Sequence, residues 1–177
     1  MIGVREAIDH ILAGVPVLDV EDASLLDARG RVLAEEVDSP LDLPAHPNSA
    51  MDGYAVRAAD VRGASQDAPR RLHVVESVPA GRFPTRAIGA GEATRIFTGA
   101  PLPAGSDGVI RQEDTTPEGD DVVVRYDRDA GKNLRLAGED LRKGARVFDS
   151  GAVLGPAQLG VLASMARSRV RVRKRAR

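Results

Sequence analysis

Near the start of the chain, Val4, Ala7, Ile8, Ile11 and Val15 fall at helical spacing, and Pro16 closes the pattern. This spacing predicts a short amphipathic helix over 3–14. Leu25 and Leu26 precede Gly30, and Val32, Leu33 and Val37 then suggest a second short helix across 30–37. Three prolines between Ser39 and Pro47 keep that stretch extended, because the residue before each proline is pushed out of the helical region. From Leu72 the apolar period changes to two. Leu72–Val78, Ala93–Phe97, Gly108–Gln112 and Val122–Tyr126 are short runs rich in Val and Ile, bounded by Gly, Pro and Asp, and read as strands. After Gly151 the texture shifts again. Gly155-Pro156 opens a helix with proline in its first turn and Leu159, Leu162 and Ala163 on one face. A last strand, Arg169–Arg173, alternates Arg with Val170 and Val172.

These elements predict a mixed, β-rich α+β fold. Strands separated by turn clusters suggest a small barrel-like β domain, over about 50–140, rather than alternating β/α units. It interrupts a mixed helix/strand domain made from 1–49 and 141–177.

Composition narrows the core and the chemistry. The 177 residues are 42% hydrophobic but only 3% aromatic, so the core must be built from Val, Leu, Ile and Ala. The absence of cysteine excludes disulfides, thiolate zinc sites and cysteine nucleophiles. The first residues show no basic segment followed by an apolar one, so no signal peptide is read. No apolar run approaches the roughly 20 residues of a membrane span. A soluble, cytoplasmic protein without a membrane partner is expected.

The net charge of −1 conceals an asymmetry. Residues 167–177 hold Arg167, Arg169, Arg171, Arg173, Lys174, Arg175 and Arg177 and no acid, leaving 18 basic against 26 acidic residues before them. A basic end can signal nucleic acid. That reading wants stacking aromatics or a recognition helix nearby, and Tyr54, Phe83, Phe97, Tyr126 and Phe148 all lie elsewhere, so no nucleic-acid partner is expected.

Three polar turns carry chemistry. In Asn48-Ser49-Ala50-Met51-Asp52-Gly53-Tyr54-Ala55-Val56, the Asp52-Gly53 turn could hold a carboxylate toward a hydrated cation or polar ligand. The simpler alternative is that Asn and Asp cap their own turn. Thr98-Gly99-Ala100-Pro101-Leu102-Pro103-Ala104-Gly105 follows a strand, and its free N–H groups could form an anion-binding nest beside the Thr98 hydroxyl, or simply a structural turn. Walker spacing and its lysine are absent. Gly138-Glu139-Asp140 could recruit Mg²⁺ through one or two carboxylates, or form a solvated salt-bridge surface with Arg135 and Arg142. His10, His46 and His73 match no metal-ligand spacing.

The combination is more specific than any one turn. NSAMDGYAV, RIFTGAPLPAGSDGVIRQED, KNLRLAGEDLRKGARV and GAVLGPAQLGVLASM follow in order, and together they resemble the MoeA family of molybdopterin molybdenumtransferases, which includes the gephyrin E domain. The resemblance runs from Val4 to Arg173. It implies molybdenum cofactor biosynthesis: insertion of molybdate into adenylylated molybdopterin, assisted by Mg²⁺, with release of AMP. It implies an elongated homodimer whose cleft lies between one subunit's pterin-binding domain and the other's inserted β domain. By motif, Asp52, Thr98 and Asp140 carry over as catalytic positions, with Asp52 and Asp140 as candidate metal ligands. Asn48, Ser49, Gly99 and Arg135, in or beside the same motifs, are the candidate binding residues.

Two departures stand out against the family pattern. Pro47 replaces the acidic residue that usually precedes Asn-Ser, and His46 stands where an aromatic is common. The family's pterin-binding and C-terminal domains are also missing from this sequence, so the chain alone is expected to be incomplete and inactive. The alternative is a non-catalytic dimerisation or scaffold module of the same family.

Overall fold

The computed structural model describes residues 2–176. In chain order its elements are α1 (Val4–Ala13), β1 (Val20–Ser24), β2 (Val37–Asp38), β3 (Asn48–Ser49), β4 (Gly53–Val56), α2 (Ala58–Val61), β5 (Arg70–Val78), β6 (Glu92–Ile96), β7 (Gly108–Arg111), β8 (Thr115–Glu118), β9 (Asp121–Val124), β10 (Leu134–Arg135), β11 (Arg146–Phe148), α3 (Pro156–Ser164) and β12 (Arg169–Arg173). A 3-10 turn over Gln112–Asp114 joins β7 to β8. None of the helices among the described residues is long and apolar enough to cross a membrane.

The chain divides into two units. One runs up to Pro40 and resumes at Gly144; the other is Leu41–Lys143. The first boundary falls at 40/41 rather than 49/50, because Leu43 is bonded to Leu141, and Asn48 and Ser49 pair with β10. The proline-rich segment is therefore tied to the β unit at several points.

In the first unit, β1 and β12 pair antiparallel over five residues, from Val20 opposite Arg173 to Ser24 opposite Arg169. Val170 and Val172 point into the interior with Ala23, Leu33, Leu154, Leu162 and Met165, while the arginines between them face out. Residues 30–37 are not helical, despite the spacing of Val32, Leu33 and Val37. Their backbone is bonded along two sides. Leu33 N–H donates to Ala152 O at 2.8 Å, and Ala34 N–H donates to Arg171 O at 2.8 Å. Arg173 N–H donates to Val32 O and Leu154 N–H to Arg31 O. These extended pairings compete with a helix and bury Leu33 and Val37 completely. Helix α1 forms where the apolar spacing predicts it, yet no residue of it is buried. Its Val4, Ile8, Ile11 and Leu12 stay exposed, as do Val15 and Val17 beyond it.

The second unit is built on a six-stranded sheet in the order β7-β4-β6-β5-β9-β8. Its two edge strands are successive in the chain, separated only by the 3-10 turn, so the sheet curls into a half-barrel. All pairings are antiparallel except β5 with β6. Both faces are covered. Tyr54, Val56, Leu72, Ala93, Ile110, Val122 and Val124 pack on one face with Val61 of α2. Ala55, Val78, Ile96 and Val109 pack on the other, against Ala100, Leu102 and Leu134. The segments that bear the polar turns thus form the lid of the second core.

Gly53 marks the tightest approach in this sheet. A Cβ there would lie 1.9 Å from the Ile110 carbonyl oxygen on β7. Gly53→Ala should therefore destabilise the unit by roughly 1–3 kcal/mol or more, because backbone has to shift. Urea unfolding should show a lower midpoint with an unchanged denaturant slope.

Candidate functional site

The proline-fixed segment ends in β3, two residues bonded along both edges. On one side Leu134 lies opposite Ser49 and Arg135 opposite Asn48. On the other, Ser49 N–H donates to Ala100 O at 3.0 Å, Gly99 N–H donates to Ser49 O at 2.8 Å, and Leu102 N–H donates to Pro47 O at 3.1 Å. The buried Ser49 hydroxyl closes a local turn, donating to Met51 O at 2.6 Å and accepting from Met51 N–H at 3.2 Å. That turn delivers Asp52 to the start of β4.

Asp52 meets Thr98. Its Oδ1 accepts the Thr98 N–H at 2.8 Å and the Thr98 hydroxyl at 2.7 Å. The backbone donor and then the hydroxyl hold the Asp52 carboxyl below the ordinary carboxylate range; desolvation opposes them, and Arg95 adds a smaller effect in their favour. Asp52 is thus neither simply a cap of its own turn nor free. It bridges two motifs 46 residues apart.

From Thr98 to Leu102, the Thr98–Gly105 segment does not present a nest of free donors. Thr98 N–H goes to Asp52, Gly99 N–H to Ser49 O, and Ala100 N–H to Phe97 O at 2.9 Å, while Pro101 has none. It is a structural turn, and Gly99 at φ +82° makes the reversal that other residues rarely adopt. Thr98 and Gly99 remain exposed.

Arg135 and Asp140 form the next link. Arg135 Nη2 lies 2.5 Å from both oxygens of Asp140, and its Nε lies 3.7 Å from Glu139. Asp140, and with it Glu139, raises the Arg135 pKa above its usual value. The turn is anchored by Asp140 N–H to Leu43 O and Gly138 N–H to Pro44 O, both 2.9 Å. Of the salt-bridge surface expected with Arg135 and Arg142, the Arg135 pairs are present; no group of three or more metal-binding side chains gathers among the described residues. Asn48 adds an orphan, since its side-chain oxygen is buried without a hydrogen-bond partner among the described residues.

The structure therefore brings Asn48, Ser49, Asp52, Thr98, Gly99, Arg135 and Asp140 into one continuous set of backbone and side-chain contacts within the second unit. Arg95 belongs with them and was not singled out from the sequence. Its guanidinium stacks over Tyr54 at 5.0 Å and Phe97 at 4.9 Å, donates to Gly53 O at 3.2 Å, and reaches Gln112 at 2.7 Å. The available signal was a lone arginine inside the apolar run Ala93–Phe97, three residues before Thr98.

Because Asp52 has a depressed folded-state pKa, its bonds to Thr98 contribute stability above the unfolded-state carboxylate pKa and lose it as pH falls through the lower folded value. Asp52→Asn should flatten that acid limb in an unfolding series. Thr98→Val, which keeps the N–H and removes the hydroxyl, should move the Asp52 midpoint upward in a carboxyl-carbon NMR titration.

Comparison with known proteins identifies the family. Residues 2–166 match the family model of the MoeA N-terminal region, domains I and II. The chain is 43% identical over 141 residues to molybdopterin molybdenumtransferase 2 of Mycobacterium tuberculosis, a match covering 80% of this chain and 35% of that protein. It is 38% identical over 181 residues to the molybdopterin molybdenumtransferase of a Nostoc species, covering all of this chain and 42% of that one. The crystal structure of the molybdopterin biosynthesis moeA protein from Pyrococcus horikoshii OT3 superposes with a TM-score of 0.91 at 35% identity, over 98% of this chain and 46% of that one. The chain thus spans less than half the length of the relatives it matches.

Proposed function

The chain belongs to the MoeA N-terminal region family, and from that membership we propose that it acts in molybdenum cofactor biosynthesis as the N-terminal part of the enzyme that inserts molybdate into adenylylated molybdopterin and releases AMP. The observation that carries the reading is the double hydrogen bond from Thr98 to Asp52, which joins two motif positions. On this reading Asp52, Thr98 and Asp140 line one side of a cleft, and a pterin-binding domain supplies the other.

Mg²⁺ fits these residues unequally. Asp52 is held ionised and has Oδ1 engaged by Thr98, so its second oxygen can serve as the single carboxylate that a hydrated Mg²⁺ takes beside substrate phosphates. Bound there, the ion would offset phosphate and molybdate charge. Asp140 fits less well, because Arg135 holds both of its oxygens. Its role in the proposal is to aim Arg135. That ion pair is exposed and weakly held against water, so a substrate phosphate can exchange for the carboxylate.

The test is to mix this chain with the separately expressed pterin-binding and C-terminal domains of a relative and follow molybdate-dependent AMP release. Activity that falls roughly 100-fold or more in Asp52→Ala and in Asp140→Ala is expected, the scale of losing a charge-positioning group. Activity indifferent to both substitutions would sink the assignment.

The scaffold reading has its own support in α1, whose apolar stripe of Val4, Ile8, Ile11 and Leu12 is uncovered. On this ground the chain associates with a second copy of itself. Sedimentation should show a dimer that dissociates in an Ile8→Glu, Ile11→Glu variant; unchanged mass in the variant would remove α1 from the interface.

A further inference from the structure

Phe83 is 63% exposed, although it does not stand on a loose tip. The loop 79–91 that carries it is tied at three places. Arg82 N–H donates to Pro79 O at 3.2 Å, and Ile88 N–H donates to Ala104 O at 2.9 Å. Between them the Glu76 carboxylate accepts the Thr85 N–H at 3.1 Å and the Thr85 hydroxyl at 2.8 Å. An apolar ring fixed in water gains nothing for the fold, since burial is what rewards it.

Among the described residues Phe83 has one ring neighbour. His46 meets it at 5.1 Å between centroids with the planes 78° apart, so the two rings form a corner. His46 is itself exposed and lies two residues before Asn48, on the segment whose Pro47 carbonyl is bonded to Leu102. The corner is therefore continuous, through backbone, with the strand that carries Asn48, Ser49 and Asp52. Arg82, next to Phe83 and exposed, has no acidic partner among the described residues, so it adds an unneutralised cation.

A perpendicular pair leaves a ring face open for stacking and sets the second ring against the edge of whatever stacks there. A flat fused heterocycle fits such a corner, and a cation beside it favours one carrying phosphate. We propose that His46 and Phe83 form a stacking subsite for the fused heteroaromatic ring of a phosphate-bearing substrate, a pterin or an adenine; the choice of these rings rests on the function proposed above. The departure at His46 then keeps a planar ring at that position rather than losing one.

The chain itself can be titrated with 6-hydroxymethylpterin phosphate, with AMP, and with ribose 5-phosphate as the ringless control, following backbone amide shifts. Saturable binding of a ring-bearing probe is expected, stronger than that of ribose 5-phosphate and weakened on the order of tenfold in His46→Ala and Phe83→Ala. Phe83→Tyr should restore it. Binding of the pterin probe alone assigns the corner to the pterin, and binding of AMP alone assigns it to the adenine. Ribose 5-phosphate binding as well as the ring probes, no binding by any probe, or affinities unchanged in both alanine variants would overturn the subsite. Both side chains are exposed, and unchanged shifts outside the loop will verify that the variants fold.

The domain-mixing assay separates this proposal from the one it rests on. Asp52-dependent AMP release with an unchanged KM in Phe83→Ala would reject the corner and leave the enzyme reading intact. Ring binding lost in Phe83→Ala, with no Asp52-dependent release, would support the corner and reject the reaction.

Discussion

Asn48 and Ser49 are clamped between the Gly99–Ala100 turn on one edge and Leu134–Arg135 on the other, and the placement of Asp52, Thr98, Gly99 and Arg135 follows from that clamp. The hydrogen bonds specify the register but do not supply most of its strength. Each is worth about 1 kcal/mol net, whereas burying a side chain such as Leu or Val contributes roughly 1.5–3 kcal/mol. The clamping segments carry Ala100, Leu102 and Leu134 onto the second face of the sheet, against Ala55, Val78, Ile96 and Val109. Packing holds the turns down, and the backbone bonds decide which atoms meet. A slip of one residue would turn the buried Ser49 outward and move Asp52 off Thr98.

The same division of labour explains the basic end of the chain. Strand β12 alternates valine inward with arginine outward, and its partner β1 is acidic. Arg169 meets Asp22 at 2.5 Å, Lys174 meets Asp19 at 3.1 Å, and Arg167 meets Glu35 at 3.0 Å. Arg31, mostly buried, bonds Glu21 and the Arg173 carbonyl. Pairs this exposed add little stability one by one. Their effect is to oppose unlike charges across the ladder, so that an edge rich in arginine does not repel itself. A charge excess visible as a block in sequence becomes, in the fold, one side of a paired strip.

What could be read from the sequence follows from how locally each element is determined. Strands β5, β6, β7 and β9 appear close to where their Val- and Ile-rich runs place them, α3 begins at its proline, and β12 spans the five residues read from its alternation. Strand β4 leaves no such trace. Gly53, Tyr54, Ala55 and Val56 are all buried, because both faces of the sheet are covered, and a strand without a wet face does not alternate. Residues 30–37 mislead for a related reason, since their extended form comes from partners more than a hundred residues away, around Ala152 and Arg171. The motif positions are legible by resemblance, but their partners are not. Nothing in the spacing says that Thr98 would spend both donors on Asp52, or that Arg135 would hold Asp140.

Those partners give the two carboxylates different characters. Asp52 is stabilised by neutral donors, which lower its proton affinity without cancelling its charge, and Arg95 is already engaged with Tyr54, Phe97 and Gln112. It keeps a negative charge facing an exposed turn. Asp140 is neutralised by Arg135, so that pair is electrically quiet until something competes for the guanidinium. The first arrangement favours a cation and the second, once opened, favours a phosphate oxygen. A substrate that carries both, a phosphate with its counter-cation, would satisfy the two ends of the network together, whereas a bare cation or a bare anion would satisfy only one.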